Sequence, residues 1–411
     1  MTIFILFSFL ISLAAFISYL NIRFLKLPPG IALMLMGALI SIGLALTGRT
    51  SPEFTNYIRQ KLSAIDFSEF LLGILLSFLL FAGSLHVSYQ QLKKSALSVL
   101  TFSTVGVLIS TFLVGIGSYW LFMLFAVNIP FIHCLLFGAL ISPTDPIAVM
   151  SILKKVGISK SVEIKITGES LFNDGIGVVM FTTILEIIVN GSEHASISSV
   201  MLLFAREALG GILAGLVIGY IGYVLMKSID HFQTEILISL SMVMGGYSLC
   251  HYLHVSGPLA MVVAGIFTGH KVLTEVMSDN TRDYLEKFWE VTDEILNSLL
   301  FMLIGLELVV LNFHIYYILL GLIIAICLIV FRYMSLWIPA SLFRFKKTLE
   351  KNTLKIMTWG GLRGGISIAL ALSMPTTAYK EPLVIITYTV VLFSILVQGM
   401  TMEKVVKKLK V

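Results

Sequence analysis

Apolar runs of about 20 residues recur along almost the whole chain, and this repetition limits the possible folds more than any other feature. Hydrocarbon offers no water to backbone N–H and C=O groups, so segments that cross it satisfy those groups internally, as helices do. Of the 411 residues, 57% are hydrophobic and 12% charged, whereas soluble domains carry roughly 25% charged residues. A soluble globule is excluded, and the longest polar connections, about 15–20 residues, are too short to be an attached soluble domain. The formal net charge of +5 calls for no nucleic-acid partner, because the basic residues lie in short loops and at the C-terminus. Cys134, Cys250 and Cys327 are isolated within apolar segments and read as buried free thiols.

An all-α polytopic membrane protein of about thirteen spans follows. The first six lie at about 3–21, 31–48, 67–86, 95–125, 131–153 and 162–189, and a seventh at about 200–227. The last six lie at about 233–252, 256–270, 287–311, 315–343, 353–376 and 382–403. The N-terminus lacks a basic region before its apolar run, so it reads as a retained first span with its start outside. In that orientation the outer connections receive only Arg49, Arg59, Lys61 and Lys380. The other loop cations fall inside, as the positive-inside rule requires, and the C-terminus is cytoplasmic.

Two spans are interrupted near mid-depth. The fifth carries Pro143 and Pro146 around Asp145; the twelfth carries Gly360, Gly361, Gly364 and Gly365 around Arg363. Non-helical backbone at this depth persists only where it lines a cavity or is covered by protein. A seven-span offset reverses direction across the membrane, so residues of about 1–190 and 230–404 read as inverted repeats joined by a linker helix, in one transporter domain. Paired broken helices at matching positions are the sequence pointer to a transporter's binding site.

Around those breaks lie the residues that carry chemistry. Glu169, Ser170, Asn173 and Asp174 form one polar stripe on the sixth span, because positions four apart share a helical face. Asp174 and Asp145 have similar depths, and Thr144 adds a hydroxyl beside the broken backbone. Hard cations take oxygen ligands of this kind. Carboxylates at bilayer depth cost from about 2.5 to more than 10 kcal/mol and default to a functional role. Arg363 is too deep to reach water, so a carboxylate partner is expected, with Glu169 the preferred one. Arg332 needs a partner too, which the sequence does not name.

Weaker signals receive blander readings. His133, His251 and His254 fall at outer borders, and Glu307 near an outer end reads as solvated. Gly211 and Gly215 have the spacing that permits close helix packing. Residues 274–294 mix both signs and read as a solvated amphipathic helix leading into the tenth span. Nucleotide-driven transport and the common hydrolase signatures have no motif here.

The elements SPTDP, GESLFNDGIGVV, LNSLLFMLIGLEL and WGGLRGGISIALAL resemble the bacterial branch of the monovalent cation:proton antiporter-1 family, the NhaP-like sodium/proton antiporters. The resemblance spans essentially the whole membrane domain. It implies a thirteen-span fold, a homodimer in a bacterial inner membrane, and alternating access without an organic cofactor. The exchanged species are a proton and a monovalent cation, sodium with potassium or lithium as alternatives. By motif, Asp174 matches the ion- and proton-carrying aspartate, and Asn173 the asparagine that accompanies electroneutral exchange. Asp145 and Thr144 match the broken-span element, Ser170 a side-chain ligand, Glu169 with Arg363 the stabilising pair, and Asn297 a family asparagine. Ala82 stands where many relatives have an acidic residue, and the long tail of the animal exchangers is not expected. The rival readings are a cation channel lined by Asp145 and Asp174, or an intramembrane enzyme using those carboxylates with a histidine.

Overall fold

A computed structural model describes residues 2–47, 70–145, 150, 153, 156–191, 196–308, 314–343, 349–350 and 352–409. Among them the secondary structure is helical apart from one isolated backbone bridge. The helices are α1 (Thr2–Leu20), α2 (Pro29–Thr47), α3 (Leu76–Leu85), α4 (Tyr89–Leu124) and α5 (Phe131–Ile141). Next come α6 (Lys160–Asn190), α7 (Ile197–Lys227), α8 (Phe232–Tyr252), α9 (Gly257–Phe267) and α10 (Asp279–Glu307). The chain closes with α11 (Ile315–Leu342), α12 (Thr353–Trp359), α13 (Gly365–Ser373), α14 (Lys380–Phe393) and α15 (Met400–Leu409).

Seven helical stretches among the described residues are long and apolar enough to cross a bilayer, and Pro29–Leu44, Phe70–Leu85 and Phe131–Ile141 are shorter apolar helices. The chain is thus a helical, multi-pass membrane protein. Pro146, residues 67–69 of the third expected span and 309–311 of the tenth lie outside the described residues. So do the loop cations Arg49, Arg59, Lys61, Lys154, Lys155, Arg344, Lys346, Lys347, Lys351 and Lys410.

Local chemistry sets the helix limits. Ser159, Ser196, Ser256 and Ser278 each accept a backbone N–H at the start of α6, α7, α9 and α10, satisfying donors that have no partner within the helix. The mixed-charge segment enters α10 without interruption; its first turns carry the exposed pairs Arg282–Glu286 and Asp283–Lys287. Gly211 and Gly215 seat α7 on α9, where an added Cβ would come within 2.5 Å of the carbonyls of Ser256 and Ala260. Lipid tails are as apolar as leucine, so such close backbone contact is what holds helices together in a membrane.

One expectation is corrected by packing. Glu307 is not solvated but buried, 7% exposed. Its helix end is drawn into the protein because Gly305 rests against Gly37 of α2. Ser41 then donates to the carbonyls of Gly305 (2.8 Å) and Leu306 (3.0 Å).

Candidate ion-binding site

The two interrupted helices meet at their breaks. α5 stops at Ile141 because Pro143 follows, and the chain runs extended through Thr144 to Asp145. On the other side, Gly360–Gly364 separates α12 from α13. The Asp145 N–H donates to the Leu362 carbonyl at 2.8 Å, which makes the single antiparallel bridge. Gly364 is a steric requirement of this crossing: a Cβ there would lie 2.6 Å from both Cβ and Oδ2 of Asp145. The Asp145 carboxyl therefore sits at the N-terminal end of α13, where the helix dipole favours negative charge.

Arg363 does not make the expected pair with Glu169. Its Nη1 donates to the carbonyls of Ser142 and Pro143, and its backbone N–H to Ser394 Oγ at 3.0 Å. The carbonyl end of a broken helix presents unsatisfied acceptors and partial negative charge, and the guanidinium caps that end of α5. Glu169 is instead held by Arg332, with Nη2 to Oε2 at 2.7 Å and both side chains no more than 3% exposed. Arg332 thereby finds the partner that sequence left unnamed.

Around Glu169 the α6 stripe forms a closed network. Asn173 Nδ2 donates to Glu169 Oε1 (2.9 Å) and to Thr144 Oγ1 (2.8 Å), while Asn173 Oδ1 accepts from the Thr144 N–H (3.3 Å). Ser170 Oγ donates to the Thr144 carbonyl. Asn173 thus ties α6 to the broken segment and to the buried ion pair. One more face of the stripe opens on a cavity of about 440 Å³. Asp174, Asp145, Thr167, Ser367, Gly364 and Asp293 are among the residues that line it. Thr144, Ser170 and Asn173 are buried behind this wall.

The structure therefore brings together Asp145, Asp174, Thr144, Ser170, Asn173 and Glu169, with Arg332 and Arg363 as two separate supports. Asp293 was missed by sequence reasoning, which placed it in a solvated segment. The signal was available: Asp293, Asn297 and Leu300 share one face of α10, and Asn297 is buried with its side chain bonded to Asp293. Three carboxylates and neutral oxygens in a concave, partly dry space can hold a small cation or a proton, and no histidine is among the described residues that line it.

Comparison with known proteins gives an independent line. The family described as "Sodium/hydrogen exchanger, transmembrane" matches residues 11–408. The chain is 44% identical over 407 residues to the Na(+)/H(+) antiporter NhaP of Pseudomonas aeruginosa, covering 97% of this chain and 95% of that protein. It is 32% identical over 406 residues to the Na(+)/H(+) antiporter NhaH of Halobacillus dabanensis, covering 97% and 96%. In fold it is similar to the sodium proton antiporter MjNhaP1 from Methanocaldococcus jannaschii at pH 8, with a TM-score of 0.78 at 21% identity over 100% of this chain and 99% of that one.

Proposed function

The chain belongs to the sodium/hydrogen exchanger family, and from that premise we propose that it exchanges sodium for protons at Asp174, as a secondary transporter and not an enzyme. The observation that carries this reading is the cavity where Asp174 and Asp145 stand together at the crossing of two interrupted helices. A carboxylate withdrawn from bulk water is stabilised by whichever cation reaches it, and a proton and a sodium ion contend for the same oxygens. Alternating access carries either species across. The empty, charged site is costly to move through an apolar interior, so uncoupled cycling is suppressed.

Asp145 contributes fixed charge at the end of α13, while Asp174 exchanges its proton. Thr144, Ser170 and Asn173 hold the wall from behind and reach the ion only when their mutual hydrogen bonds open. Glu169 with Arg332, and Arg363 on the α5 carbonyls, keep the crossing rigid. One exchanging carboxylate implies one proton per monovalent cation, an electroneutral cycle. Potassium and lithium are the alternative cargoes, and no organic cofactor takes part.

Finer architecture belongs to the same reading: thirteen spans, inverted repeats of about 1–190 and 230–404, and α7 as linker. Loop cations support an outside N-terminus and a cytoplasmic C-terminus. The family resemblance supports a homodimer in a bacterial cell membrane, serving sodium and pH homeostasis. The enzyme reading finds no histidine among the described residues lining the cavity, and a channel through Asp145 and Asp174 would conduct cations without proton counter-transport.

The test uses purified protein in liposomes with an internal pH dye. A sodium pulse moves protons through the native chain, and Asp174→Asn, which keeps the side-chain volume but carries no exchangeable proton, abolishes the signal while eluting as a folded protein. Sodium-dependent proton flux from folded Asp174→Asn protein would sink the assignment.

A further inference from the structure

Asp293 is the carboxylate in the cavity to which the exchange scheme gives no role. It lines the same space as Asp145 and Asp174 but comes from a different wall, α10. Its depth follows from its neighbours. Leu300 of α10 packs against Gly365 at the start of α13, where an added Cβ would lie 2.6 Å from the leucine side chain. Asp293 is seven residues earlier, about 10 Å nearer the N-terminal end of α10 at 1.5 Å per residue. That end carries the exposed pairs Arg282–Glu286 and Asp283–Lys287 and lies in water. Asp293 therefore stands between bulk water and the helix crossing, on the side the proposed topology makes cytoplasmic.

The side chain beside it is unusual. Asn297 is 93% buried, since only 7% of it is exposed, and its Oδ1 has no hydrogen-bond partner among the described residues. Its amide bonds Asp293, and a flipped amide would set oxygen against carboxylate, so Nδ2 faces Asp293. Spacings of four and then three along α10 keep Asp293, Asn297 and Leu300 on one face, and the outer two of the three line the cavity. The orphaned oxygen belongs to the residue between two cavity-lining side chains of α10, and a buried polar atom without a partner points to a visiting ligand or water. The nearby guanidiniums are engaged elsewhere: Arg332 on Glu169 and Arg363 on backbone carbonyls. The cavity thus collects negative charge on a low-dielectric wall, a geometry that concentrates cations locally.

We propose that Asp293, positioned by Asn297, is the cytoplasmic uptake station for the cation: it captures sodium at the mouth of the cavity and passes it to Asp174. This rests on the antiporter reading above. A capture site raises cation occupancy from one side without changing the number of protons exchanged. Asp293 therefore sets the apparent affinity for cytoplasmic sodium, not the stoichiometry or the maximal rate.

The experiment compares native protein, Asp293→Asn, Asp293→Glu, Asn297→Ala and Asp174→Asn in liposomes, with sodium varied on one face at a time. Expected is a rise of about five- to tenfold in KM for sodium on the cytoplasmic face in Asp293→Asn, Vmax within twofold, and KM on the opposite face unchanged. Asp293→Glu, which keeps the charge, restores KM to within about twofold of native. Asn297→Ala raises KM less than Asp293→Asn. The defect narrows as an impermeant organic cation screens the cavity mouth. An unchanged KM overturns the proposal, as does equal loss on both faces. Loss of exchange at saturating sodium also overturns it and makes Asp293 part of the exchanging site. If Asp174→Asn is active, the underlying assignment fails instead, so the two failures are distinguishable.

Discussion

Removing the guanidinium of Arg332 leaves the buried carboxylate of Glu169 without its cation. Glu169 is 2% exposed; one oxygen accepts from Arg332 at 2.7 Å and the other from Asn173 at 2.9 Å. Breaking a buried pair by deleting one partner costs about 3–5 kcal/mol, because the remaining charge keeps its desolvation penalty and loses its compensation. Arg332→Met is therefore expected to destabilise by that amount, and Glu169→Gln by a comparable or smaller one. The double variant replaces both charges at once and should recover most of the loss, giving a coupling of about 2 kcal/mol or more in the cycle. Reversible denaturation in detergent, followed by tryptophan fluorescence, measures all four proteins. Additive losses, with coupling below about 0.5 kcal/mol, would refute the pairing and return Glu169 to Arg363.

Two further outcomes follow from the same geometry. Arg363→Ala uncaps the carbonyl end of α5 and costs at least about 1.5–3 kcal/mol, the range for one hydrogen bond from a charged donor; Glu169→Gln does not rescue it, and rescue in the same denaturation assay would contradict the capping role. Gly364→Ala drives a methyl to 2.6 Å from Asp145, so it lowers exchange in liposomes at least tenfold even where the protein remains folded, and a native rate would mean that the crossing tolerates separation.

What could be read from sequence follows the physics of each feature. Span-length apolar runs, Pro143 and the glycines around Arg363 are local signals, and the structure has its breaks where those residues stand. The α6 stripe was equally legible, because helical periodicity alone aligns Glu169 with Asn173 and Ser170 with Asp174. Partner choice was not. Depth makes Arg363 and Arg332 equally needy, and only the crossing of α5 with the α12–α13 break decides that one caps carbonyls while the other meets Glu169. Glu307 and Asp293 escaped for a related reason. Glu307 ends α10 and Asp293 closes the mixed-charge stretch of its first half, where hydropathy suggests water, but Gly37 against Gly305 and the cavity between α10 and α13 are long-range facts.

The central claim is that Asp174 is the sole exchanging carboxylate, with Asn173 beside it supplying a neutral amide where an aspartate would add a second titratable group. One measurement bears on it most directly: the sodium/proton equilibrium point of the native protein in liposomes whose membrane potential is clamped with potassium and valinomycin. A potential of about 100 mV biases each net charge that crosses the membrane by about 2.3 kcal/mol, enough to displace an electrogenic equilibrium roughly 50-fold. One-for-one exchange predicts the same equilibrium point at every clamp. A point that shifts with the imposed potential would contradict the account and bring Asp145, Asp293 or Glu169 into the proton count.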